Sequence, residues 1–128
     1  MFSRKTNDLL FKFFDEERRV FFRVRPSSKK PITISIGPNR YKVKDIGAGG
    51  MAIYRRSEDR ELEREKKYPF KITLPLIKEV ISGTFRIVNI SDRAYHCIFV
   101  NLGIEKREKI HLFVLERQKE ELRAKRRS

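Results

Sequence analysis

Two short stretches carry residues whose types and spacing could do chemistry. "RRVFFRVRP", Arg18 to Pro26, holds an R-x-x-x-R pattern at Arg19 and Arg23. "DIGAGGMAI", Asp45 to Ile53, places glycines at 47, 49 and 50, just after a strand-like run. Arginine's planar fork binds phosphate oxygens bidentately. A glycine-rich turn after a strand often meets phosphate through its backbone. Gly47, Gly49 and Ala52 even spell the G-x-G-x-x-A form of the dinucleotide fingerprint. Both stretches therefore suggest an anionic ligand, and the elements that hold them decide which kind.

The elements read as mostly β. Residues 6 to 17 have the pattern of a short amphipathic helix, with Leu10, Phe13 and Phe14 on one face. From Val20 the period becomes two, with Val20, Phe22 and Val24 opposed to Arg19, Phe21, Arg23 and Arg25. "PITISI" and "YKVKD" alternate in the same way around Gly37-Pro38-Asn39-Arg40, which predicts a hairpin. Met51 to Tyr54 reads as a strand. Ser57 to Lys67 is almost wholly charged and is expected at the surface. "FKITL", bracketed by Pro69 and Pro75, "VISGTFRIVNI" with Gly83 as a bulge, and "AYHCIFVNL" supply three more strands. Glu105 to about Lys125 reads as one long helix, docked by Ile110, Phe113 and Val114. Six or seven short strands followed by a helix predict a mainly β domain, a small antiparallel barrel or sandwich capped by that helix.

Composition bounds the partners. The chain has 128 residues, 39% of them hydrophobic, which is enough for one core. Its 31 Lys and Arg against 17 Asp and Glu give a formal charge of +14. That balance favours nucleic acid, a nucleotide, a membrane surface or an acidic protein. The single cysteine, Cys97, cannot form an intrachain disulfide and reads as a small buried strand residue. His96 and His111 show no metal-ligand spacing. No nucleophile–base pair stands out, which argues against an enzyme. "LLFKFF" is interrupted by Lys12, and no run approaches the roughly 20 apolar residues of a membrane span. The expectation is a soluble cytoplasmic protein with neither membrane span nor cofactor.

The dinucleotide reading fails on this pattern. The first strand of a doubly wound unit is buried on both faces and should be continuously apolar. "YKVKD" carries a lysine at every second position. A helix should also begin inside the glycine loop, whereas "MAIYRR" reads as a strand. The glycines alone would then only make a turn or bulge, with Gly47, Gly49 and Gly50 supplying positive φ.

Taken together, the two stretches resemble the signature of the PilZ domain family, R-x-x-x-R followed by [D/N]-x-[S/A]-x-x-G. Here the second half is Asp45, Gly47 and Gly50, spaced D-x-G-x-x-G, and the resemblance covers about Arg18 to Lys125. It implies a six-stranded antiparallel β-barrel with a C-terminal α-helix. On that reading residues 1–17 are an N-terminal amphipathic segment and 18–128 the barrel domain with its helix. The resemblance also implies a non-enzymatic receptor for the bacterial second messenger cyclic di-GMP, acting on motility, polysaccharide or related outputs. The implied ligand contacts are Arg19, Arg23, Asp45, Gly47 and Gly50. Arg18, just ahead of the motif, is implied as a contact to a second ligand molecule where the family binds a stacked pair. An unidentified effector protein is implied as partner, and a homodimer is left open.

One position departs from the signature: Gly47 stands where a small hydroxyl residue is expected, so a hydrogen bond to the ligand is lost. A degenerate module that binds only protein is therefore a competing expectation. A basic nucleic-acid-binding barrel is another, although the rhythm of exposed aromatics on a basic sheet is missing, which makes nucleic acid the weaker reading.

Overall fold

A computed structural model describes residues 22–56 and 62–127. Seven strands run in chain order: β1 (Arg23–Val24), β2 (Thr33–Ile36), β3 (Asn39–Gly47), β4 (Gly50–Tyr54), β5 (Lys67–Leu74), β6 (Glu79–Ile90) and β7 (Ala94–Val100). One helix follows, α1 (Ile104–Arg127). The expected N-terminal helix over 6–17 lies outside the described residues.

All pairings between strands are antiparallel, in the order β3-β2-β5-β6-β7-β4, and β4 returns to pair with β3. The sheet therefore closes on itself as a six-stranded barrel, as expected. β1 is an added two-residue strand on β3, at Arg23↔Gly47 and Val24↔Ile46. It lies on the same edge of β3 as β2, which pairs lower down at Thr33↔Lys42 through Ile36↔Asn39.

The period-2 pattern explains what faces inward. Ile34, Tyr41, Val43, Met51, Ile53, Ile72, Phe85, Ile87 and Cys97 are buried, while Arg40, Lys42, Lys71 and Thr73 between them are exposed. Each fully buried large side chain stabilises the barrel by roughly 1.5–3 kcal/mol. The β2–β3 hairpin closes through Gly37 and Pro38, with Gly37 at φ +60°. That is the first central position of a type II′ turn, where a side chain is disfavoured.

α1 packs against β1 and β3, the strands that carry the two motifs. Ile110, Phe113 and Val114 are its buried residues, as expected. Beyond them its apolar content thins out, and Leu122 is exposed. No helix among the described residues is long and apolar enough to cross a membrane.

Four local expectations are corrected. Val20, Phe22 and Val24 are expected on one strand face; Val20 lies outside the described residues, the ladder among the described residues begins at Arg23, and Phe22 is exposed while Val24 is buried. Gly83 is no bulge: it pairs with Phe70 in regular register. The register shift in β6 falls between Ile87 and Asn89 instead. Pro69 does not precede β5 but sits inside it, opposite Thr84. β2 reaches only Ile72 and Lys71, so this part of β5 has a partner on one side only, where a missing N–H is tolerated. Finally, the charged segment before β5 does contribute to the core, because Leu62 is buried and its N–H donates to the Tyr95 hydroxyl at 3.2 Å.

Candidate functional site

The glycines of "DIGAGG" are explained by close approach rather than by backbone sign. None of Gly47, Gly49 and Gly50 has positive φ, which corrects that expectation. Gly47 ends β3 beneath β1, where an added Cβ would lie 2.3 Å from the Phe22 carbonyl oxygen. Gly50 opens β4 beside β7, where an added Cβ would lie 2.2 Å from the Cys97 carbonyl oxygen. Both distances are far inside van der Waals contact. Gly47 admits the motif-bearing segment to the barrel, and Gly50 admits the strand that closes it.

The same two glycines leave a floor for Arg23. A Cβ on Gly47 would come 3.0 Å from Arg23 Cγ, and one on Gly50 would come 3.2 Å from Arg23 Nη2. The arginine therefore lies across the glycines. Its Nη1 ends 3.2 Å from Asp45 Oδ1, where it donates a hydrogen bond. The Arg23 side chain is 34% exposed and that of Asp45 25%. An exposed pair of this kind adds at most about 1 kcal/mol to stability. What it does is hold a guanidinium at a fixed place over a flat, side-chain-free surface.

Two neighbours were not singled out by sequence. Ile98 pairs with Gly50, and His96 pairs with Ala52, which itself pairs with Asp45. Directly opposed residues share a face, so the half-buried His96 and Ile98 extend the outer floor beside Arg23 and Asp45. The signal was present in "AYHCIFV", whose His96, Ile98 and Val100 alternate with the buried Tyr95, Cys97 and Phe99. A third residue, Arg117, lies one turn after the buried Phe113 and Val114 of α1 with its side chain only 14% exposed, and its Nε donates to the Arg25 carbonyl at 2.8 Å. Glu120 and Glu121 hold the same guanidinium at 3.3 and 3.4 Å. Nothing in the sequence distinguished it from the other helical cations.

Cys97 lies under this floor and is fully buried. Burial pushes its thiol up to about 12, although the Arg23 charge pulls the other way. At pH 8 the thiolate fraction is then negligible. Native protein is expected to resist iodoacetamide at pH 8 and to react fully once unfolded. Rapid labelling of the native protein, measured by mass spectrometry, would contradict this packing. Among the described residues no cluster of His, Cys, Asp and Glu could hold a metal ion.

Of the six residues expected at the site, Arg23, Asp45, Gly47 and Gly50 come together on one outer patch. Arg18 and Arg19 lie outside the described residues. The sequence matches the family model of the PilZ domain over residues 17–116. The chain belongs to the PilZ domain family. No curated protein sequence matches the chain significantly.

Solved structures share the fold, a PilZ domain among them. The PilZ domain of Escherichia coli YcgR with c-di-GMP superposes at a TM-score of 0.71 and 14% identity, over 87% of this chain and 99% of that one. An uncharacterised Legionella protein gives 0.55 and 17%, over 80% and 99%. The Bacillus subtilis inhibitor of motility MotI/DgrA gives 0.65 and 16%, over 79% of this chain but only 51% of its own length. At such identities the likeness carries the fold, a PilZ barrel, and the site must be argued from this chain's own residues.

Proposed function

We propose that this PilZ domain is a receptor for cyclic di-GMP, without enzymatic activity, that passes ligand binding to an effector protein in the cytoplasm. The carrying observation is Arg23 laid across Gly47 and Gly50 and held at 3.2 Å by Asp45. Membership of the family and the ligand bound by the YcgR domain support the choice of ligand.

The chemistry fits. Arg23 can donate to a phosphate or to the O6 and N7 acceptors of a guanine edge. Asp45 can accept from the guanine N–H donors. Gly47 and Gly50 keep the floor flat, so the ligand can approach backbone there, with His96 and Ile98 beside it. Arg19 supplies a second guanidinium from the segment before β1, and Arg18 contacts a second ligand molecule if a stacked pair binds. Each charge-assisted hydrogen bond contributes roughly 1.5–3 kcal/mol net. Three or four support micromolar binding, about −8 kcal/mol.

Calorimetric titration with cyclic di-GMP, beside GTP and cyclic GMP, tests the reading. Selective micromolar binding is expected, and its stoichiometry separates one ligand from a pair. No heat and no competition would leave a PilZ barrel that serves as a protein-binding module, as the missing hydroxyl at Gly47 would favour.

Transmission has a route in the structure. The segment carrying the arginines is tied to α1 by the Arg117–Arg25 hydrogen bond. Ordering of that segment on the ligand then bears on the helix. Arg117→Ala is expected to retain ligand binding while abolishing ligand-induced amide shifts along α1. Shifts that persist in this variant, followed by NMR, would rule out this route.

A further inference from the structure

The outer face at the far end of β4 from Gly50 carries a second, different feature. Between Phe22 and Arg56 the chain has nine Lys and Arg and a single carboxylate, Asp45. Asp45 is committed to Arg23. The remaining cations are not spread evenly. A cavity of about 270 Å³ opens between β2, β3 and the end of β4, lined by Thr33, Arg40, Tyr41, Lys42, Tyr54 and Arg56. No carboxylate is among the described residues that line it. Arg40 and Lys42 are exposed and have no ion-pair partner among the described residues. Arg56 sits over the Tyr41 ring, 5.3 Å from its centroid, and Tyr54 is 43% exposed. The floor is thus aromatic ring and aliphatic stem, and Arg40 and Lys42 are exposed cations at its rim. Across β2 the charge continues, because Ser35 pairs with both Arg40 and Lys71. Tyr54 is about 13 Å along β4 from Gly50, at about 3.3 Å per residue, so this surface is separate from the Arg23 patch.

We propose that this face docks an acidic segment of a partner protein, with one aromatic or large aliphatic side chain seated in the cavity and flanking carboxylates on Arg40 and Lys42. The shape favours this occupant over other anions. A small free ligand needs a concave site with polar groups fixed inside it, whereas this cavity is half open and its polar groups stand at the rim. A side chain projecting from a larger surface suits it better, since anchors in desolvated pockets carry most of an interface's energy. Single-stranded nucleic acid would use a row of stacking rings, and among the described residues Tyr54 is the one exposed ring lining this cavity. A phosphate backbone or a lipid surface would be met by charge alone and has no use for an apolar cavity.

The test is fluorescence anisotropy with a labelled 12-residue peptide of Asp and Glu around one central Phe, at physiological salt. Binding is expected to weaken about 10-fold in Arg40→Glu/Lys42→Glu and again when the peptide Phe is replaced by Ala. Lys119→Glu/Arg123→Glu, an equal charge change on α1, is expected to leave binding nearly unaltered. Amide shifts mapped on the wild-type protein need no variant, and they are expected at residues 33–42 and 54–56. Equal loss in both double variants would mean diffuse charge attraction and overturn the proposal, as would indifference to the Phe. Tighter binding to a DNA duplex or to anionic phosphatidylserine vesicles, lost in Arg40→Glu/Lys42→Glu, would assign the face to another polyanion and also overturn it.

Discussion

Arg23→Ala is expected to weaken cyclic di-GMP binding at least ~30-fold, about 2 kcal/mol, while the melting temperature stays within a few degrees. The two halves of this expectation come from different terms. On the ligand side, a guanidinium that makes two charge-assisted hydrogen bonds contributes roughly 3 kcal/mol or more. On the folding side, Arg23 is an exposed residue whose ion pair with Asp45 is worth at most about 1 kcal/mol. Its stem rests on Gly47 without entering the core. Calorimetry paired with thermal denaturation separates the two. A variant that binds normally would remove Arg23 from the site. One that loses binding together with a large drop in melting temperature would make the arginine a folding residue.

Gly50→Ala is expected to have the opposite profile, destabilising the fold by about 3 kcal/mol, or about 10 °C for a chain of this size. Its added Cβ would meet the Cys97 carbonyl at 2.2 Å and the Ile98 Cα at 3.1 Å, both backbone atoms. Neither can rotate away, so β4 and β7 must separate where they close the barrel. Gly47 provides the contrast. Its Cβ would meet the Phe22 carbonyl at 2.3 Å, but β1 is two residues long and can be displaced without opening the barrel. Gly47→Ser, which restores the signature's hydroxyl, is therefore expected to weaken ligand binding with little loss of stability. Thermal denaturation and calorimetry on both variants test the pair. Equal stability loss at 47 and 50 would contradict the division between a docking glycine and a closing glycine.

Much of the barrel was legible because its strands have one wet face. "TISI", "YKV" and "FKITL" alternate without a break, and each became part of a strand with the expected side inward, whereas the register shift between Val43 and Asp45 that brings Asp45 to the outer face was not legible. The helix was legible because Gly103 precedes a long run free of glycine and proline, and Ile110, Phe113 and Val114 mark its docked face. What escaped is non-local. That β4 would pair with β3 on one side and β7 on the other cannot be read from either strand. The purpose of Gly50 depends on that pairing, since its Cβ space is taken by a residue 47 positions away. The bulge after Ile87 and the burial of Leu62 depend in the same way on partners distant in sequence.

The site divided along the same line. Arg23, Asp45, Gly47 and Gly50 were legible through spacing, because two patterns each weak in a basic chain occur in order at the ends of paired strands. His96 and Ile98 become floor residues only once β7 is laid beside β4. Arg117 looks like any helical cation until its Nε is found on the Arg25 carbonyl.

The central claim is that cyclic di-GMP sits on the patch bounded by Arg23, Asp45 and the two glycines. Amide shift mapping during a cyclic di-GMP titration of the whole chain tests it most directly. The account predicts saturable shifts concentrated at residues 23–25, 45–50 and 96–98, with residues 33–42 little affected. Shifts centred on Arg40 and Lys42 instead, or weak unsaturable changes spread over all the cations, would contradict it.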